Sequence, residues 1–260
     1  MKKWILPVLL LVEVAFFTAI SGTTLHSTGD FANYFRSYFG DLFAQLLPRD
    51  ARPEGIDATI FSGDLPEAGD GAAPAPPLPL EPAPELRRTW QRRLAELGPP
   101  PYVGVRWRAG LAADIAFRER RVRLAKEAPI EDLGAALKGW GATVLVLQRQ
   151  PGAGEVARFS QALGRQANDL STFNEKLGEM LALLGCLQAY VGVSNANVHL
   201  AASVGLRCHV LVMRQPEWRW GAKGETSPWF PGFSLYRQLP DGGWRSPMER
   251  LGAEGKAVQD

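Results

Sequence analysis

The chain has 260 residues, with 29 Lys and Arg against 27 Asp and Glu and a formal net charge of +2. That length allows one large or two small domains. A charge balance this even argues against nucleic acid as a partner, which favours a concentrated basic face. Cys186 and Cys208 are too few for a disulfide framework. Their places near the starts of neighbouring strands make a bridge conceivable, but reduced thiols in a core are the expectation. His26, His199 and His209 share no ligand spacing, so neither a metal nor a cofactor is expected.

Met1-Lys2-Lys3 precedes a hydrophobic run from Trp4 to Ile20, interrupted by Pro7 and Glu13. Its length is at the short end of a membrane-spanning helix. A signal-peptide core ending at Ala19-Ile20-Ser21 is the alternative. We read residues 1–25 as an uncleaved anchor. Within residues 26–48, Phe31, Tyr34, Phe35, Tyr38, Leu42 and Phe43 recur at helical spacing with Arg36, Asp41 and Gln45 between them. That is an amphipathic helix for a membrane surface or for the main domain. Membrane association through residues 1–47 is therefore expected. This start resembles the first membrane helix of ABC-class sugar permeases as far as Pro48, without any transport machinery. Lys2 and Lys3 favour a cytoplasmic amino terminus, which after a single crossing would leave the remainder outside.

Residues 49–85 include PEAGDGAAPAPPLPLEPAP, too rich in proline to pair in a sheet or continue a helix, and read as an extended linker. Residues 86–255 form the globular part, and 256–260 a tail. Glu85 to Leu97 is a charged helix with Leu86, Trp90, Leu94 and Leu97 on one face. Tyr102 to Trp107 is a strand that delivers Arg108-Ala109-Gly110 into a loop at its carboxyl end. The guanidinium of Arg108 could meet a diphosphate there, or be solvated. The arginine-rich FRERRVRLAK, Phe117 to Lys126, reads as a wet helix or loop face. Pro129 opens a helix through Gly139, Thr143 to Gln148 is a buried strand, and Glu155 to Gly164 and Glu175 to Leu184 are helices around a weak strand or loop at Asn168–Ser171.

Next comes LQAYVGVSNANVHLAASVGLRCHVLVM. An apolar run, Ala189 to Val193, is followed by the polar Ser194-Asn195-Ala196, a short helix from Asn197 to a stop at Gly205, and a second apolar run from Cys208 to Met213. Strand, turn, helix, strand is one βαβ unit with parallel strands. Its turn faces the crevice in which open parallel sheets bind ligands. PEWRW and SPWFP then place three tryptophans in a proline-rich loop. Those rings either stack on a base or sugar or pack over the sheet edge. Leu235 to Gln238 is a last strand and Trp244 to Leu251 a closing helix.

VGVSNANVHLAASVG with the downstream PEWRW, SPWFPGF and LYRQ resembles the C-terminal half of bacterial heptosyltransferase-like glycosyltransferases, the group often fused to tetratricopeptide repeats. The resemblance runs from about Leu86 to about Leu251 and implies half of a GT-B architecture. That is one α/β, Rossmann-like, three-layer parallel-sheet domain holding a nucleotide-diphospho-sugar donor. Carried over residue by residue, it implies Ser194, Asn195, Ala196 and Asn197 at the donor diphosphate, with Arg108, Lys126 and Trp218 also facing the donor. His199 would assist the donor or leaving group. Relatives carry Asp or Ser followed by Thr where this chain has Ser194-Asn195-Ala196, which removes one hydroxyl.

Inverting transfer needs a general base. The family's base lies on an amino-terminal Rossmann domain, for which the residues between Pro48 and Leu86 are far too few. No base is assigned, and a partner chain supplying that domain is the expectation. The implied activity is hexosyl or heptosyl transfer. The implied location is the inner membrane, with the globular domain in the cytoplasm. The alternative is a non-catalytic, membrane-tethered Rossmann-like module or degenerate fragment. A nicotinamide enzyme is disfavoured, because no Gly-x-Gly-x-x-Gly follows any strand.

Overall fold

The computed structural model describes residues 79–117 and 120–255. The expected anchor and amphipathic helix, and the linker up to residue 78, lie outside the described residues. Among the described residues, no helix is long and apolar enough to cross a membrane.

Residues from Glu81 onward form one compact unit. Its apolar runs become parallel strands because they are buried on both faces and lack the polar alternation of a half-wet strand. These are β1 (Tyr102–Arg106), β4 (Thr143–Val146), β5 (Asn168–Asp169), β6 (Ala189–Val193), β7 (Cys208–Val212) and β8 (Ser234–Arg237). Their order across the sheet is β5-β4-β1-β6-β7-β8, every neighbouring pair parallel. Counting only these strands in chain order, this is 3-2-1-4-5-6, the dinucleotide-fold order. The α/β class expected from the sequence is the class observed.

Among the described residues six α-helices complete the layers: α1 (Pro84–Leu97), α2 (Ile130–Leu137), α3 (Glu155–Leu163), α4 (Leu177–Leu184), α5 (Ala196–Ser203) and α6 (Arg245–Ala253). Ile130, Leu133 and Leu137 of α2, Phe159 and Leu163 of α3, and Met248 and Leu251 of α6 share a core with Val103, Val105, Val144, Val191 and Val193. On the other face Gly104 approaches Leu147, Leu187 and Tyr190 so closely that a Cβ there would lie 2.9 Å from the two leucines. Trp90 of α1 donates to Glu179 of α4 at 2.8 Å and meets Phe173 edge-on, which docks the first helix. Cys186 and Cys208 are free thiols.

One element differs from expectation. Arg108 does not enter a loop, and the arginine-rich run is neither helix nor loop. They are the strands β2 (Arg108–Phe117) and β3 (Arg120–Glu127), an antiparallel hairpin apart from the main sheet. The register pairs Ile115 with Val122, Ala113 with Leu124 and Asp114 with Arg123. In the sequence the charges conceal this period of two.

Candidate functional site

In an open parallel sheet the ligand crevice lies at the carboxyl ends of the strands where their order reverses. Here that point is between β1 and β6, which lie side by side with Arg106 opposite Gly192. β6 runs into Ser194-Asn195, and Asn195 caps α5: its Oδ1 accepts from the Asn197 amide at 2.8 Å. The same residue is fully buried. Its Nδ2 donates to the Tyr190 hydroxyl at 3.0 Å and to the Val193 carbonyl. A cap fixed from three sides holds the start of α5 at the crevice, where a helix N-terminus favours an anion.

Arg106 closes the floor. The alternation of β1 sends Val103, Val105 and Trp107 into the α2–α3–α6 core and turns Gly104 and Arg106 to the Tyr190 face. Gly192 makes the space, since a Cβ there would lie 2.7 Å from the Arg106 carbonyl oxygen. Arg106 is 8% exposed. Its Nε donates to the Arg108 carbonyl at 2.9 Å and its Nη1 to Asn195 Oδ1 at 3.5 Å. Burial pulls its pKa below the usual range, and the cations Arg149 and Arg108 add to this against an opposing pull from Tyr190. An arginine remains charged even so. Arg108 and Arg149 are paired with Glu155 and Glu175. Among the described residues no carboxylate lies within ion-pair distance of Arg106.

The rim carries a second group of charges. Glu217 accepts from the Ser194 hydroxyl at 2.8 Å and from Arg219 Nη1 at 2.5 Å, and it pairs with the Lys126 ammonium. Lys126 arrives from the end of β3, where it pairs across the hairpin with Ala109. Burial, and then the Arg219 cation, bring the Lys126 pKa down to about 8, against the attraction of the carboxylate it touches. Arg219 is 3% exposed. The socket at the head of α5 thus grips an oxyanion, and that oxyanion belongs to the chain itself.

The residues singled out from the sequence are distributed as follows. Ser194, Asn195, Ala196 and Asn197 lie at the head of α5, and Asn197 also donates to Asn174 at 3.1 Å. Lys126 joins them through Glu217. Arg108 does not. Its Nη2 takes both oxygens of Glu155 at 3.2 and 2.9 Å, at the start of α3. Burial works against the charged Glu155 carboxylate, but the Gly152 amide and Arg108 outweigh it and lower its pKa. His199 is buried and packs edge-on against Phe230, which stacks in turn with Phe233. Trp218 lies in a 3₁₀ turn, Trp218–Trp220, and its side chain is outside the described residues. Arg106, Tyr190, Glu217 and Arg219 belong to the site although sequence reasoning does not reach them. The one sequence signal for Arg106 is a lone charge inside an otherwise apolar strand.

No family model matches the chain. Over 174 residues, 66% of its length, it is 26% identical to Protein FlbA of Caulobacter vibrioides, of which it covers 28%. Among solved structures it is similar to the glycosyl transferase family 9 protein from Veillonella parvula. That match has a TM-score of 0.43 and 13% identity, over 68% of this chain and 46% of that one. It is also similar to E. coli ADP-heptose lps heptosyltransferase II, with a TM-score of 0.49 and 14% identity over 69% of this chain and 53% of that one. The chain therefore spans well under two thirds of each of these proteins.

Proposed function

We propose that residues 86–255 are the nucleotide-diphospho-sugar-binding half of a glycosyltransferase-like protein. The observation that carries this is the oxyanion grip at the switch point: Ser194, Lys126 and Arg219 converge on one carboxylate beside the capped start of α5. A phosphate oxygen asks for the same donors. The VSNANVHLAASVG and PEWRW motifs, with their resemblance to heptosyltransferase-like sequences, support a sugar donor as the phosphate compound.

In this reading the amide of Ala196, with Lys126, Ser194 and Arg219, stabilises the departing diphosphate. Asn195 positions that turn. The acceptor's base comes from a second Rossmann domain on a partner chain, and residues 1–47 tether the domain to the inner membrane with its crevice in the cytoplasm. His199 stands one helical turn behind the amides and supports α5 from below.

A second reading is favoured by two observations. Glu217 already occupies the grip, and His199 packs against Phe230. On that reading the domain is a non-catalytic relative whose socket is closed by its own side chain. Calorimetry of the full chain with UDP, ADP, GDP and CDP separates the two. Saturable binding of any of them upholds the donor-binding reading, and a flat response to all four upholds the closed module.

A further inference from the structure

We propose that Arg106 is the receptor for a second oxyanion, so that the crevice accepts two adjacent anionic groups, those of a diphosphate, rather than one. This rests on the phosphate-binding reading above. The rim group of Ser194, Lys126 and Arg219 serves a single carboxylate, as its contacts with Glu217 show. Arg106 lies next to that turn, bound to Asn195 Oδ1, and its other partner is the Arg108 carbonyl. Both partners are neutral. They use two of the five N–H groups a guanidinium carries.

A buried cation without a carboxylate is a cost to the fold. Its neighbours in β1 on either side, Val105 and Trp107, are fully buried and apolar and point into the core on the opposite face. The opposite strand supplies a glycine where any side chain would collide with the Arg106 backbone. Two nearby arginines show the contrast, since Arg108 holds both oxygens of Glu155 through Nη2 and Arg149 grips Glu175 in a fork. Arg106 itself has only neutral partners, Asn195 and the Arg108 carbonyl, beside the rim group that holds Glu217. A single carboxylate or phosphate at the rim leaves Arg106 unsatisfied. Residues held against stability in this way mark function.

The test uses the full chain as wild type, Arg106→Met and Arg106→Lys, titrated by calorimetry with inorganic pyrophosphate and with inorganic phosphate, alongside thermal unfolding. Wild type is expected to bind pyrophosphate at least about tenfold more tightly than phosphate, from the added charge-assisted hydrogen bonds. Arg106→Met is expected to remove that preference, weakening pyrophosphate about tenfold while phosphate stays within about threefold, with no fall in Tm. Arg106→Lys keeps the charge but loses the fork, and falls between. Equal weakening of both anions, or a lower Tm with unchanged affinities, overturns the proposal and makes Arg106 structural. Failure of wild type to bind either anion overturns it together with the phosphate-binding reading, so the two failures are distinguishable.

Discussion

Glu217→Gln tests the rim directly, because it removes one charge and keeps the shape. The carboxylate takes the Ser194 hydroxyl at 2.8 Å, Arg219 at 2.5 Å and Lys126. Breaking a buried pair by removing one partner costs about 3–5 kcal/mol. Two features reduce that here: the Glu217 and Lys126 side chains keep 22% and 36% exposure, and the new amide oxygen still accepts from Ser194. The expected loss is about 2 kcal/mol. For a domain of this size that is a fall in Tm of about 4–8 °C. The same change frees the grip. Pyrophosphate at a hundred times its dissociation constant then returns about 2.7 kcal/mol. In wild type the anion must first displace Glu217, so its rescue is smaller. Thermal unfolding of the full chain with and without pyrophosphate reads both effects. A variant within about 1 °C of wild type, or one that pyrophosphate leaves equally unstable, would refute the role assigned to Glu217 at the rim.

Asn195→Asp places a carboxylate 3.5 Å from Arg106 while keeping the helix cap. Its carboxylate cannot donate to the Tyr190 hydroxyl or the Val193 carbonyl as the amide does. The denaturant midpoint should therefore not rise while pyrophosphate binding should be lost, and retained binding would contradict the site. Burial, with Arg207 and Arg250 nearby, pulls the His209 pKa down to about 4. The unfolded chain, with a histidine near 6.5, binds the proton first, so stability is intact above pH 6.5 and falls as the pH drops towards 4. Urea unfolding at pH 7 and pH 4.5 should differ by about 2–3 kcal/mol more in wild type than in His209→Gln. Gly192→Ala puts a methyl 2.7 Å from a backbone oxygen that cannot move aside, and should cost about 1–3 kcal/mol in a denaturant titration.

Much of the fold could be read from the sequence because most of its parallel strands are uninterrupted apolar runs, and Asn195, Gly164 and Gly205 mark helix ends with the expected chemistry. The hairpin could not. Arg120, Arg121 and Arg123 read as a solvated run, and only the pairing partners on β2 reveal the alternation. Preferring Arg108 to Arg106 follows from placing the useful arginine just past the strand end. In the fold Arg106 shares a face with Tyr190 and the α5 cap, whereas Arg108 reaches across to α3. Glu217 lies in a loop more than twenty residues beyond Ser194. No periodic pattern reports how such a loop returns, and its partners become visible only once the loop is in place.

That return is set by packing, and it explains what the aromatic residues and His199 do for the rim. Arg237, at the end of β8, donates to the carbonyls of Trp220, Gly221, Lys223 and Gly224 at distances of 2.5–3.0 Å. The Ser227 hydroxyl donates to the Arg219 carbonyl at 2.7 Å. Beneath the loop, Trp220 and Phe230 lie 5.2 Å apart, and His199 meets Phe230 at 5.3 Å. The chain that carries Glu217 and Arg219 is thereby anchored on the same helix whose start faces the crevice. Donors fixed in this way need little rearrangement when an anion arrives, which is where an oxyanion site derives its strength. The His199–Phe230 contact one turn into α5 thus joins that helix to the loop, and the loop in turn decides which charges the turn at Ser194 meets.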